Sequence, residues 1–177
     1  PWSTSSSSKS NTLNQKSDYY VNEIDYISSK SCDANTILAI KKNLTEYGAM
    51  GAVIYAESPT YVSDDKLAYY YNGSKSINHA LTIIGWDDDY SASNFKTTPK
   101  GNGAWLTKDT YPTIFTGNST IPAGYHYVSY YDTNICASLM SAYKVEAASF
   151  DNKYTNNIHG FSGNIETTDT SSIIFKN

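Results

Sequence analysis

Two short apolar segments joined by a long polar loop constrain the fold of this chain more than any other feature. The first runs from Asn78 to Trp86 and the second from Gly103 to Asp109. Both are rich in β-branched and aromatic residues and are bounded by Gly, Asn or Asp, which is typical of buried strands. The sequence therefore predicts two neighbouring strands of one sheet.

The spacing of the two segments also suggests a register. If the strands pair antiparallel with Gly85 opposite Gly103, His79 lies opposite Asp109 at one end of the sheet. In a nucleophilic triad a histidine is the base, and a hydrogen-bond acceptor orients its ring. Spacing alone leaves a second interpretation open, in which His79 is a core histidine and Asp109 a turn residue.

Composition excludes several classes of protein. The 177 residues are enough for one domain with its own core, and a charged fraction of 17% argues against charge-driven disorder. The formal charge of −4 and the lack of a Lys/Arg cluster argue against a nucleic-acid partner. The sequence contains no apolar run long enough to span a membrane.

Periodicity predicts the remaining elements. A cap at Ser31 or Asp33 should open an amphipathic helix that ends at Gly48. Further strands are expected at 19–27, 49–55, 124–132 and 142–147. Residues 1–18 contain a serine run and no apolar periodicity, and therefore predict a flexible lead-in.

Three ordered motifs resemble segments of papain-like (C1 family) cysteine peptidases. Asn78–Asp87 resembles the histidine segment of that family, Gly101–Asp109 its asparagine segment, and Gly124–Asp132 the strand that follows. With the Asp-rich insert at 87–95, the resemblance is greatest to bacterial cell-surface members that carry a lectin-like domain after the peptidase. It implies an α+β papain-like fold, mainly the β-rich right-hand half, with an antiparallel twisted sheet or barrel and one amphipathic helix.

The resemblance also implies roles for individual residues. His79 would be the catalytic imidazole and Asp109 the group that orients it. Substrate contacts are expected at four positions in or near the segments that line the family's cleft: Asn72, Gly73, Asn78 and Tyr111. No cofactor is implied. The run Asp87–Asp89 lacks the regular ligand spacing and closing Glu of a calcium loop, so a solvated turn is expected there rather than a metal site.

Two departures from the family pattern limit this interpretation. Asp109–Pro112 stands where the family has Asn-Ser-Trp-Gly, so a carboxylate replaces the orienting amide and a phenol replaces the shielding indole. Neither cysteine stands in the nucleophile's position: Cys32 precedes a helix that in the family follows the nucleophile, and Cys136 follows both motifs. The chain therefore resembles the second half of a peptidase domain whose nucleophile lies in a missing N-terminal half. Whether the two cysteines pair is not decided by sequence.

The expected organisation is a lead-in at 1–18, the C-terminal half of a papain-like domain at 19–149, and the start of a truncated lectin-like β domain at 150–177. The expected function is a cysteine-type endopeptidase that acts on protein or peptide substrates outside the cell or on a bacterial cell surface. The alternative is a non-catalytic binding or adhesion module on a degenerate papain-like fold, which the altered motif and the 17 tyrosines favour. A self-contained hydrolase that uses a Ser or Cys of this chain has little support, because the chain has no Gly-Xaa-Ser-Xaa-Gly elbow.

Overall fold

Most of the described chain folds into one sheet with a helix packed against it. The computed structural model describes residues 19–57, 60–63, 67–109 and 122–147. Val21–Glu146 form one compact unit, whereas Pro1–Tyr20 and Ala147–Asn177 form a second unit that lies almost entirely outside the described residues. The expected lead-in at 1–18 and lectin-like segment at 150–177 also lie outside them and stay predictions.

The described elements follow one another along the chain as eight strands, one α-helix and a 3₁₀ turn. They are β1 (Tyr19–Ser28), α1 (Ala34–Tyr47), β2 (Met50–Ile54), β3 (Val62–Ser63), β4 (Ala68–Tyr69), β5 (His79–Asp87), the 3₁₀ turn Ala92–Asn94, β6 (Ala104–Lys108), β7 (Tyr125–Ser129) and β8 (Leu139–Ala147). The helix and strands expected from periodicity are thus confirmed. No helix among the described residues is long and apolar enough to cross a membrane.

The strands form a single sheet in the order β1-β8-β2-β5-β6-β7-β4-β3. The expected sheet is present and mainly antiparallel, with one parallel pair, and the alternative of a closed barrel is wrong. Strand β4 runs parallel to β7, so the sheet is mixed, because the short β3–β4 hairpin joins the free edge of β7 with its second strand. The sheet is also not closed, since its end strands β1 and β3 are not neighbours.

Helix α1 begins and ends with specific capping contacts. The Asp33 side chain accepts a hydrogen bond from the Thr36 N–H at 2.8 Å, so Asp33 rather than Ser31 is the cap. Gly48 ends the helix with a φ of 85°, and its N–H donates to the Leu44 carbonyl. Ile40 and Leu44 are buried in the core between the helix and the sheet.

The predicted register between the two central strands is wrong. Gly85 pairs with Leu106 instead of Gly103, and the register shifts between Ile83 and Gly85. Gly103 lies before β6 with a φ of 107°, and the Tyr130 ring occupies the space where a side chain would project. Gly103 therefore shapes the entry to β6 and takes no part in the ladder with β5.

A disulfide joins the start of the helix to the loop between β7 and β8. Cys32 and Cys136 are 104 residues apart in sequence, and their Cα atoms are 5.0 Å apart. Cys136 is buried in the core, and Cys32 packs against it from the surface. Both cysteines of the chain are therefore structural.

Candidate active site

His79 and Asp109 meet at the end of the sheet where β5 begins and β6 ends. The imidazole Nε2 lies 2.7 Å from the Asp109 Oδ2. The His79 side chain is 13% exposed, whereas the Asp109 side chain is fully buried. The imidazole is thus mostly buried, and its Nε2 lies against a buried carboxylate.

The two residues meet diagonally along the sheet. Lys108 pairs with Thr82, three residues beyond His79, so Asp109 is not directly opposite the histidine. Because side chains alternate along a strand, His79 lies on the same face of β5 as Ile83. Ile83 pairs with Thr107 on β6, so Asp109, two residues beyond Thr107, lies on that face of the sheet as well. Diagonal neighbours in a sheet are within reach of long side chains. The predicted juxtaposition therefore forms although the predicted register does not.

The backbone of Asp109 is fixed by Gly124, the residue just before β7. The Asp109 N–H donates to the Gly124 carbonyl at 2.7 Å. Gly124 has a φ of 84°, and a Cβ at this position would lie 2.9 Å from the Asp109 carbonyl oxygen. A glycine is therefore required beside Asp109, both for its backbone conformation and for the close approach.

The position of His79 is fixed from the side of β2. Ile54 pairs with His79, and the Asn78 N–H donates to the Ile54 carbonyl. The Asn78 side chain accepts from the Ala56 N–H at 2.7 Å and donates to the Ala56 carbonyl at 3.2 Å. Asn78, an expected substrate contact, thus also clamps the end of β2 to the residue before the histidine.

The other expected substrate contacts are placed as follows. Asn72 and Gly73 are exposed in the segment that leads from β4 to His79. The Gly73 carbonyl accepts a hydrogen bond from the Thr133 hydroxyl at 3.0 Å, which anchors this segment to the loop after β7. Tyr111 lies outside the described residues, so its expected contact stays a prediction.

A charged cluster that the sequence did not reveal lies at the end of β2. The Lys75 ammonium is 2.9 Å from the Tyr55 hydroxyl and 3.0 Å from Glu57, and the same hydroxyl donates to Glu57 at 2.6 Å. The hydrogen bond from Tyr55 holds the pKa of Glu57 below its usual value. The pairing of Lys75 with Glu57 joins residues on either side of the β3–β4 hairpin, so periodicity carries no signal for it.

His126 on β7 is fully buried. It pairs with Thr107, whose hydroxyl donates to the His126 carbonyl at 2.9 Å. Burial, reinforced by the charge of His79, lowers the pKa of His126 to about 3. His126 is therefore a neutral imidazole at physiological pH.

In the acidic run Asp87–Asp89, two carboxylates form an ion pair or hydrogen bonds with other groups of the protein. Asp88 lies 2.5 Å from the Lys41 ammonium and accepts from the Tyr130 hydroxyl at 2.9 Å. Asp87 accepts from the Asp89 N–H. Within the described ranges, no group of three His, Cys, Asp or Glu side chains is arranged to hold a metal ion.

Two solved structures share this fold. The clostridial cysteine protease Cwp84 after propeptide cleavage is 27% identical and matches 78% of this chain with a TM-score of 0.63. The cysteine protease and lectin-like domains of Cwp84, a surface layer associated protein of Clostridium difficile, are 28% identical over 82% of this chain, also with a TM-score of 0.63. The chain has a papain-like cysteine peptidase fold. It spans about a third of those proteins, 32% and 31% respectively. Neither a protein-family model nor a curated protein sequence matches it.

Proposed function

We propose that this chain supplies the histidine and its orienting carboxylate to a cysteine-type endopeptidase. The observation that carries the proposal is the 2.7 Å contact between His79 Nε2 and the buried carboxylate of Asp109 on a papain-like fold. A carboxylate accepts the imidazole N–H as the oxygen of the family's amide does.

The nucleophile in this proposal comes from outside the chain. The sequence contains two cysteines, and both form the Cys32–Cys136 disulfide. The thiolate is the nucleophilic form of cysteine, so an oxidised pair cannot provide it. An N-terminal half of the peptidase domain, with the cysteine at the start of a helix, would complete the site.

The mechanism follows from which nitrogen of the His79 ring contacts Asp109. Because Nε2 contacts Asp109, proton exchange with a thiol falls to Nδ1 on the other side of the ring. The imidazolium formed when His79 takes the thiol proton would stabilise the thiolate, and the thiolate would attack the peptide carbonyl carbon. His79 would then pass its proton to the leaving amine and take one from the water that hydrolyses the thioester.

The substrate in this proposal is a protein or peptide. Asn72, Gly73 and Asn78 are exposed beside His79 along the chain, where an extended substrate could contact them, and Tyr111 would shield the His79–Asp109 pair. A location outside the cell or on its surface is supported by the disulfide, which persists in oxidising compartments, and by the surface-layer association of Cwp84. No contact among the described residues favours the alternative of a non-catalytic binding module.

The test uses the full-length natural protein and a thiol-reactive epoxide near neutral pH, with labelled sites mapped by mass spectrometry. We expect one cysteine outside this chain to react about ten- to thirty-fold faster than a free thiol, because only the thiolate reacts and a free thiol is only about 3% thiolate at pH 7. His79→Ala should abolish this fast labelling, whereas the matched variant Lys108→Ala, at an exposed neighbour of Asp109, should keep it. Labelling at the free-thiol rate, or labelling that survives His79→Ala, would rule out the proposed function.

A further inference from the structure

A buried aspartate shortly after β7 accepts hydrogen bonds from two distant parts of the chain. Asp132 is 5% exposed, and its Oδ1 accepts from the backbone N–H groups of Asn134 at 2.9 Å and Ile135 at 3.1 Å. Its Oδ2 accepts from the N–H of Tyr71 at 3.0 Å. Asp132 therefore joins its own turn to the start of the segment 71–78, which leads from β4 to β5.

The next residue, Thr133, holds the same segment at two further points. Its N–H donates to the Tyr71 carbonyl at 3.0 Å, and its hydroxyl donates to the Gly73 carbonyl at the same distance. The Gly73 backbone lies so close to the Tyr71 ring that a Cβ would collide with it. The hydroxyl of that ring accepts from the Lys75 N–H at 2.7 Å. The first half of the segment thus follows one path, which Asp132 and Thr133 fix from the turn after β7.

This bridge requires a carboxylate rather than an amide at position 132. A carboxylate has two acceptor oxygens, whereas the amide of Asn has one, and its NH₂ group would face an N–H donor on the other side. Burial raises the pKa of Asp132 to about 6, mainly because the carboxylate is removed from water, and the backbone hydrogen bonds oppose this rise. The side chain is therefore mainly ionised near neutral pH, so that both of its oxygens accept hydrogen bonds.

We propose that Asp132 and Thr133 are positioning residues that hold the segment 71–78 in the conformation in which it contacts an extended peptide substrate. The inference rests on the proposed function, in which three expected substrate contacts lie in this segment: Asn72, Gly73 and Asn78. The hydrogen bonds of Asn78 with Ala56 fix the far end of the segment, and the turn after β7 fixes its start.

Such an anchor acts on peptide affinity rather than on the reactivity of the nucleophile. A segment that is ordered before the substrate arrives loses less conformational entropy on binding than a mobile one. His79 is held separately, by its pairing with Ile54 and its contact with Asp109. Loss of the anchor should therefore weaken peptide binding and leave the reaction of the nucleophile with a small epoxide unchanged.

The test applies the same epoxide labelling to the full-length natural protein near neutral pH, with and without a tryptic digest of reduced and alkylated casein. The labelling rate without the digest reports the nucleophile and His79. The digest concentration that halves this rate, the half-protecting concentration, reports peptide affinity.

Two variants weaken the anchor, and a third is the matched control. Asp132→Asn removes one of the two acceptor oxygens, and Thr133→Val removes the hydroxyl with little change in shape. The control is Thr45→Val, which removes a hydroxyl that also donates to a backbone carbonyl, that of Lys41 in the helix. Urea unfolding of each variant measures its stability.

We expect Asp132→Asn to raise the half-protecting concentration about ten-fold, because a buried N–H donor loses its acceptor. Thr133→Val should raise it about three-fold, since one hydrogen bond to the segment is lost. Both variants should label at the wild-type rate when the digest is absent. Thr45→Val should keep both the labelling rate and the half-protecting concentration of the wild type, whatever its stability.

Three results would overturn the inference alone. They are a half-protecting concentration that neither anchor variant changes, a loss of labelling without the digest in both of them, and fast labelling of the wild type that the digest does not slow. If Asp132→Asn fails to fold, Thr133→Val decides, because it keeps the buried carboxylate. Labelling of the wild type at the free-thiol rate would instead refute the proposed function, and this inference with it.

Discussion

Replacing His126 should make the protein less sensitive to acid. Its pKa is lowered from 6.5 to about 3 in the folded protein, mainly by burial and then by the charge of His79. Between these two values the unfolded chain binds a proton that the folded protein does not, so stability falls as the pH decreases. The contribution is fully present above pH 6.5 and is lost progressively as the pH falls toward 3.

The magnitude follows from the pKa difference. One pKa unit corresponds to about 1.4 kcal/mol, so His126 alone should cost about 2 kcal/mol of unfolding free energy between pH 7 and pH 5. By pH 3 the cost should reach about 4 to 5 kcal/mol. Many small domains have a total stability of about 5 to 15 kcal/mol, so this single side chain matters.

The assay compares wild-type protein with His126→Gln by urea unfolding, followed by tryptophan fluorescence at pH 7, 6 and 5. Glutamine is polar and similar in size but does not titrate in this range. Other groups contribute equally to both proteins, so the difference between the two stability curves isolates His126. We expect the variant to lose about 2 kcal/mol less than wild type between pH 7 and pH 5. Parallel curves for the two proteins would show that His126 is not buried as a neutral imidazole.

Three further changes test the supports of the site. Replacing both Cys32 and Cys136 by Ala should lower the free energy of unfolding by about 2 to 4 kcal/mol, measured in urea, because the bridge closes a loop between residues 104 apart; an unchanged stability would contradict this. Gly124→Ala should slow epoxide labelling of the nucleophile at least about ten-fold, since the new Cβ displaces the neighbouring Asp109 backbone. The control Gly48→Ala has a similar φ and open space around it, so it should destabilise without slowing the labelling. Asn78→Ala should cost about 1 to 3 kcal/mol in urea unfolding by removing both partners of the Ala56 backbone, and Asn78→Asp, which keeps the acceptor, should cost less.

Local signals in the sequence predicted local structure well. The start of the helix at Asp33, its end at Gly48 and the strands each depend on residues that are close in sequence, and the structure confirms them. The contact between His79 and Asp109 was also expected, but from a register that the structure does not have.

Features that depend on distant residues were harder to predict. The register shifts between Ile83 and Gly85, and although a glycine inside a strand often marks a bulge, Gly85 does not by itself specify which residue of β6 it pairs with. His126 alternates with two tyrosines, so its sequence pattern does not show which face of β7 is covered. The Cys32–Cys136 pair depends on the complete path of the sheet, since its members are 104 residues apart.

That pair encloses the site in a covalent ring. His79 and Asp109 both lie between Cys32 and Cys136 in the sequence, as do residues 110–121. A protease that cuts once anywhere inside the ring produces two pieces that remain joined through sulfur. A nick in an exposed loop would therefore not separate His79 from Asp109. Such a nicked molecule would migrate as one band without reductant and as two bands with it.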